Sequence, residues 1–175
     1  MERAEISCMT REERLSSWIE LYSDAILRTC FLYLSDHAQA EDALQDTWMK
    51  AWRHMGEYER KHVVSDKAWL MRIAINTCKD YRRSAWFRHV DHRKALDELP
   101  ARLLQVESEE ASLSLMVMGL PDKYKQVVLL YYFQGLTQRE TAQALGLSPA
   151  AVVRRLKAAH ALLKQFLTGG DGLEE

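Results

Sequence analysis

The chain has 175 residues, 47% hydrophobic and 28% charged, with a formal net charge of −1 and only seven glycines and three prolines. That length holds one ordinary domain or two small ones, and the abundance of Ala, Leu, Glu, Arg and Gln favours helices over strands. The near-neutral total excludes attraction of the whole chain to a polyanion, so nucleic-acid binding would have to come from local charge.

No stretch is long and apolar enough to cross a bilayer. The start, "MERAEISCMTREER", is charged and lacks the apolar segment of a secretory signal. A cytoplasmic protein without membrane insertion is expected. Cys8, Cys30 and Cys78 form no CxxC and no Cys/His cluster, so two of them read as small core residues in a reduced protein. No metal and no cofactor are expected. Nothing suggests an enzyme: the chain has no nucleophile elbow, metal-ligand spacing or Gly-rich phosphate loop.

In chain order, residues 12–34 read as a helix, with Leu15, Trp18, Ile19, Tyr22, Ala25, Ile26 and Thr29 recurring at steps of three and four. Asp36 caps a second helix, with Gln39 three residues on as in a capping box. Its stripe is Ala40, Ala43, Leu44, Thr47, Trp48, Ala51 and Met55, and Gly56 is the expected stop. Residues 57–64 read as a loop or frayed turn. Ser65 or Asp66 caps the third helix, with Leu70, Ile73, Ala74, Thr77, Cys78 and Tyr81 on one face. Three such helices can bury a common core. Residues 87–107 break the periodicity with mixed charges and Pro100, and read as a linker.

A short helix over 108–118 opens the second half. "LPDKYKQVVLLYYFQG" follows, with Pro121 expected in the first helical turn and Gly135 at the end. Thr137 and Glu140 form a capping box for a helix ending near Leu145. Gly146 supplies a tight turn, Ser148 caps the last helix, and Pro149 takes its first position. No β-period is present. The fold class read from the chain is therefore all-α: two small helical domains joined by a flexible linker.

"TQRETAQALGLSPAAVVRRL" (137–156) is laid out as a helix-turn-helix, in which the second helix enters the DNA major groove. Ala142 is small where the helices cross, and Val152 and Leu156 point to the core with Leu145 and Leu147. Pro149, Ala150, Ala151, Arg154, Arg155 and Lys157 are left on or near the outer face. Residues 121–168 hold seven Lys or Arg (Arg139 among them) against Asp122 and Glu140, a local excess of +5 hidden in the total. Arginine can take guanine bidentately, and alanine can touch a thymine methyl. Adjacent Arg154 and Arg155 point about 100° apart. One is expected to reach bases and the other phosphate, and the sequence leaves open which.

Three segments, in order, carry a family resemblance: "AEDALQDTWMKAW" (40–52), "AWLMRIAINTCKDYRR" (68–83) and residues 120–163. Together they resemble bacterial RNA polymerase sigma factors of the extracytoplasmic-function (ECF) group. The resemblance covers roughly residues 15–167. It implies docking on core polymerase, reading of the minus-10 and minus-35 promoter elements, and promoter-specific initiation of transcription. Two departures concern the recognition helix: Val153 stands where the family often has a polar or basic residue, and "SPAAVVRRL" is poor in polar side chains.

On this resemblance, Asp42, Gln45 and Asp46 form a flank that binds the clamp helices of the polymerase largest subunit. From the residues alone the flank is equally a solvated helix face. Trp69 and Asn76 match positions near the minus-10 pocket. Lys79, Arg82 and Arg83 follow with Tyr81, Trp86 and Phe87 interleaved, suiting a single strand's phosphates and bases. Trp48 and Trp52 read as core or core-edge residues, and Tyr81 as core. Arg139, Pro149, Ala150, Ala151, Arg154, Arg155 and Lys157 make the minus-35 set. Further expected partners are the flap of the second-largest subunit and an anti-sigma factor.

The expected domains are 1–86, polymerase docking and minus-10 recognition; 87–107, linker; 108–168, helix-turn-helix; and 169–175, flexible tail. The alternative reading is a helix-turn-helix regulator with a helical dimerisation domain.

Overall fold

The computed structural model describes residues 9–60, 65–83 and 108–169, and every regular element among them is helical. In order they are α1 (Arg11–Leu34), α2 (His37–Arg60), α3 (Asp66–Arg83), α4 (Ser108–Met118), α5 (Asp122–Val128), α6 (Gln138–Leu145) and α7 (Pro149–Gly169); α5 runs on into a π-helical turn, Leu129–Phe133. The expected linker, Trp86, Phe87 and Cys8 lie outside the described residues. α7 extends to Gly169, one residue into the expected tail.

Helices α1, α2 and α3 pack on one another as a three-helix unit. Thr10 opens α1 with a capping box: its hydroxyl accepts the Glu13 N–H at 3.2 Å, and Glu13 Oε2 accepts the Thr10 N–H at 2.8 Å. Ser35 ends α1 in the left-handed region at φ 59°. Asp36 then accepts the Gln39 N–H at 2.8 Å. Ser65, not Asp66, caps α3 by accepting the Ala68 N–H at 3.0 Å.

Two boundaries differ from the sequence expectation. α2 does not stop at Gly56 but continues to Arg60, so the expected loop is helical over 57–60. The physical reason is tertiary: the last turns carry Tyr58, whose ring packs 5.1 Å from Trp18 and 4.8 Å from Trp69. That packing outweighs the ~1 kcal/mol a glycine costs in a helix interior. Pro121 sits just before α5, at φ −56° and ψ 143°, rather than inside its first turn.

The buried face of α2 is mostly small: Ala40, Ala43, Thr47 and Ala51, with Met55. Thr47 satisfies its hydroxyl on the Ala43 carbonyl at 2.6 Å. Small residues let α1 and α3 approach closely and cover Ile26, Phe31, Leu70, Met71 and Ile75 completely. Each such large side chain contributes about 1.5–3 kcal/mol on burial. Cys30 and Cys78 are buried core residues, as expected, and touch each other. Burial is the main cause that pushes the Cys78 thiol well up, so it stays a thiol.

In the second half, Val127, Val128, Leu129 and Leu130 from α5 and its π turn pack with Leu136, Ala142, Val152, Leu156 and Ala159. The chain leaves the π turn through Gly135, at φ 66°, with the Leu136 N–H bonded to the Leu130 carbonyl at 3.0 Å. The two halves are in contact: α1 packs against α4, α5 and the π turn, and α3 packs along α6.

Candidate nucleic-acid interface

The helix-turn-helix is fixed by the local chemistry its sequence announces. Thr137 and Glu140 close a capping box on α6. The backbone N–H of Thr137 holds the Glu140 carboxyl below its ordinary value; the Thr137 hydroxyl, Ser65 and Lys67 add to this, against the opposing effect of burial. Gly146 takes φ 65°, and the Leu147 N–H returns to the Ala142 carbonyl at 2.8 Å. Ser148 Oγ accepts the Ala151 N–H at 3.2 Å and starts α7. Val152 and Leu156 are buried and orient the helix. Pro149, Ala150, Arg154 and Lys157 are exposed, as is Arg139 on α6, while Ala151, Val153 and Arg155 are half-buried. Arg154 therefore shares an outward stripe with Ala150 and Lys157 at helical steps of four and three. Arg155 belongs to the other flank.

On α3, Arg72, Asn76, Asp80 and Arg83 are exposed, whereas Trp69, Lys79 and Arg82 are half-buried. Trp69 lies in a packed aromatic cluster, 5.6 Å from Trp18 and 4.8 Å from Tyr58. Asp66 anchors that cluster, accepting from Trp18 Nε1 at 2.9 Å and from the Tyr58 hydroxyl. Burial, and then the bond to Asp66, raise the Tyr58 phenol well above its ordinary range.

At the other end of α3, Arg82 pairs with Asp122 of α5 at 2.8 Å and lies over the Tyr33 ring at 5.8 Å. The Lys79 ammonium is disfavoured by burial first and then by Arg155 and Arg83, with Asp122 opposing. The basic end of α3 thus lies beside Asp122 of α5 and within electrostatic reach of Arg155 on the recognition helix. Arg83 is near Asp80 at 3.8 Å, and Asp80 also pairs with Lys50 at 3.3 Å.

On α2, Asp42 and Gln45 are exposed. Asp46 is half-buried and accepts from the Tyr81 hydroxyl at 3.0 Å, tying α2 to α3. Burial and this bond push the Tyr81 phenol up to about 12. The outer stripe of α2 continues from Asp42 and Gln45 to Met49, 53% exposed, and Trp52, 36% exposed. Arg11 lies over the Trp52 ring at 5.0 Å. Sequence reasoning gave Met49 no role and passed over Arg72, one turn before Asn76 on the same exposed face. Steps of three and four from Asp42, and of four from Asn76, were the signals that could have found them.

A helical chain that ends in a capped helix-turn-helix with an outward basic stripe is a DNA-binding protein by its fold and surface. Comparison with known proteins narrows the class. Residues 18–88 match the family model Sigma-70 region 2, and residues 110–163 match Sigma-70, region 4. The chain belongs to the sigma-70 family as an ECF RNA polymerase sigma factor, directing initiation of transcription at promoters.

Among curated relatives, "Probable RNA polymerase sigma factor RfaY" of Xanthomonas campestris is 33% identical over 142 residues, 75% of this chain and 35% of that protein. The match thus spans about a third of RfaY. "ECF RNA polymerase sigma factor SigM" of Bacillus subtilis is 29% identical over 160 residues, 86% of this chain and 93% of SigM. Among solved structures, the sigma factor RpoE in complex with the anti-sigma factor NepR, from Bartonella quintana, superposes with a TM-score of 0.68. It is 21% identical and covers 87% of this chain and 96% of that one, which shows a shared fold. The two sigma regions in family order displace the reading as a helix-turn-helix regulator with a dimerisation domain.

Proposed function

We propose that the chain binds core polymerase through the outer flank of α2, with Asp42, Gln45 and Asp46 meeting the clamp helices of the largest subunit. Met49 and Trp52 extend that flank with apolar surface. The second half meets the flap of the second-largest subunit. Residues 1–86 and 108–168 act as the two functional units, with 87–107 as the link between them and 169–175 as a tail. The protein works in the cytoplasm as an initiation factor rather than as an enzyme.

The minus-10 strand is read along α3. Asn76 offers an amide to an unstacked base; Lys79, Arg82 and Arg83, joined by Arg72, follow the phosphates. Trp69 shapes the pocket floor through its aromatic cluster. The minus-35 element is read by α7 in the major groove: Arg154 reaches base edges, Pro149, Ala150 and Ala151 make close apolar contacts, and Arg139, Arg155 and Lys157 meet phosphates. The carrying observation is the outward stripe Ala150–Arg154–Lys157 on a helix oriented by buried Val152 and Leu156. An anti-sigma factor is the proposed regulator, in keeping with the partner named for the RpoE structure.

The test is in vitro transcription. With core polymerase the chain should initiate from promoters sharing one minus-35 and one minus-10 sequence, and alone it should bind DNA weakly. A strong footprint of the chain alone on a palindrome, with no effect on core polymerase, would refute the reading.

A further inference from the structure

Among the described residues, Lys125 of α5 is the buried charged side chain, 1% exposed, and neither polymerase docking nor promoter reading uses it. Its ammonium stands 5.7 Å from the centre of the Tyr33 ring, and no described acceptor takes a hydrogen bond from it. A ring face attracts a cation but leaves its N–H groups without acceptors. The Arg82 guanidinium lies over the same ring, 5.8 Å from its centre, and pairs with Asp122 at 2.8 Å. Lys79, one turn before Arg82 on α3, is half-buried, as is Arg155 on α7. Asp122 acts on both lysines, and Arg155 acts on Lys79.

In this closed form, with the two halves in contact, four cations from α3, α5 and α7 therefore gather around one carboxylate, an excess of three positive charges. Arg83 is matched separately by Asp80 at 3.8 Å. Asp122 is committed at short range to Arg82. Lys125 and Lys79 are left with loss of water first and repulsion from neighbouring arginines second, and both disfavour their charge. Buried charge in such excess is unfavourable until a counter-charge meets it.

Ammonium and guanidinium groups together are a donor set for phosphate oxygens. A single phosphate ester brings a charge of only about −1.5 to −2, so linked phosphates match the excess better. A duplex backbone cannot reach an ammonium as covered as that of Lys125, whereas a small anion can enter past half-buried Lys79 and Arg155. The Tyr33 ring is itself buried under the two cations and offers no face to a base. Recognition therefore falls on the phosphates alone, whether inorganic or the polyphosphate end of a nucleotide.

We propose that Lys125, Arg82, Lys79 and Arg155 form a binding site for a small polyphosphate, with Lys125 as its buried anchor. Lys79, Arg82 and Arg155 are also proposed above to meet promoter phosphates, so the ligand competes with the promoter for these cations. That consequence rests on the DNA roles; the site itself does not.

The experiment is calorimetric titration of the full chain with inorganic pyrophosphate and, separately, with ATP, at fixed ionic strength, with sulfate as the control anion. Both polyphosphates should bind more tightly than sulfate. Equal affinity for the two assigns the site to the inorganic group, and tighter binding of ATP assigns it to a nucleotide. Lys125→Met should weaken binding about tenfold to a hundredfold. Lys123→Met removes the same charge from the same helix, but its exposed ammonium lies over the Tyr124 ring, so affinity should not change. If Lys125→Met lowers the helix content by circular dichroism, Arg155→Ala decides, with a loss of binding expected. Polyphosphates that bind no better than sulfate, or equal weakening by Lys123→Met and Lys125→Met, would overturn the site. No DNA enters the titration, so an error in the promoter contacts leaves its result intact.

Discussion

Gln134 and Thr29 are separated by 105 residues, yet the Gln134 amide donates to the Thr29 hydroxyl at 2.8 Å while that hydroxyl donates to the Ala25 carbonyl at 2.9 Å. The chain of bonds joins the end of the π turn to the middle of α1 inside a buried layer. Replacing Gln134 by Leu fills the space but leaves the Thr29 hydroxyl and the Ala25 carbonyl each one donor short. The closed form should lose about 1–3 kcal/mol. Chemical denaturation should show a lower midpoint for the second half, with the α1–α3 unit unchanged.

Lys125 should make the contact between the two halves depend on pH. Burial is the main cause that lowers its ammonium pKa to about 8, with Arg82 adding to it and Asp122 opposing. Tyr33, the ring it faces, has its phenol raised by burial and stays neutral through this range. The open form binds more protons than the closed form between about 8 and the ordinary 10.5. Closure is therefore weakest below about 8, strengthens as pH rises through it, and levels off near 10.5, by at most about tenfold per pH unit. Scattering from pH 7 to 9.5 should show progressive compaction, and Lys125→Met should abolish the trend. A wild-type chain whose size ignores pH would show that Lys125 is solvated.

The two carboxylates of the proposed docking flank should behave differently. Asp42 is exposed, so Asp42→Lys should weaken core binding with stability within about 0.5 kcal/mol of wild type. Asp46 holds Tyr81, so Asp46→Lys should also destabilise the first half, by about 1–3 kcal/mol. Trp52→Ala should lower core affinity. Thermal melts run beside a polymerase titration separate the effects; equal stability of the two lysine variants would remove the structural role given to Asp46.

Much of this was legible because it is written in short-range chemistry. Thr137 with Glu140, Gly146, and Ser148 before Pro149 each satisfy helix-end groups within a few residues, so the helix-turn-helix could be read directly. The continuation of α2 past Gly56 could not, because its cause is Trp18 and Trp69, far away in sequence. Nor could the π turn, which no residue type specifies. The contact between the halves left one trace: Gln126 and Gln134, two polar residues inside the apolar run "QVVLLYYFQ". Their spacing of eight sets them about 80° apart on a regular α-helix, and a π turn between them narrows that angle. Arg154 and Arg155 could not be told apart from sequence, since both neighbour the Val152–Leu156 stripe.

Gly146 offers a direct check on the turn. Nothing lies within 4 Å of where its Cβ would stand, so Gly146→Ala meets no clash, only a left-handed φ of 65°. The cost should be about 1–2 kcal/mol. A melt of the second half should fall by several degrees, and minus-35 recognition should survive below that temperature.

The two arginines are separable by the face each occupies. Arg154 points outward with Ala150 and Lys157, whereas Arg155 is half-buried on the side toward Lys79. Arg154 is thus placed to enter the groove first and reach base edges, and Arg155 to run beside the backbone once the halves separate. Arg154→Ala should cost about 1–3 kcal/mol on the preferred promoter and relax the preference at one minus-35 position. Arg155→Ala should weaken all promoters alike and lower the salt slope of binding by about one. Transcription on minus-35 variants over a salt series reads both effects. If Arg155→Ala relaxes base preference and Arg154→Ala changes only the salt slope, the roles are reversed and the recognition helix is rotated about its axis from the orientation proposed.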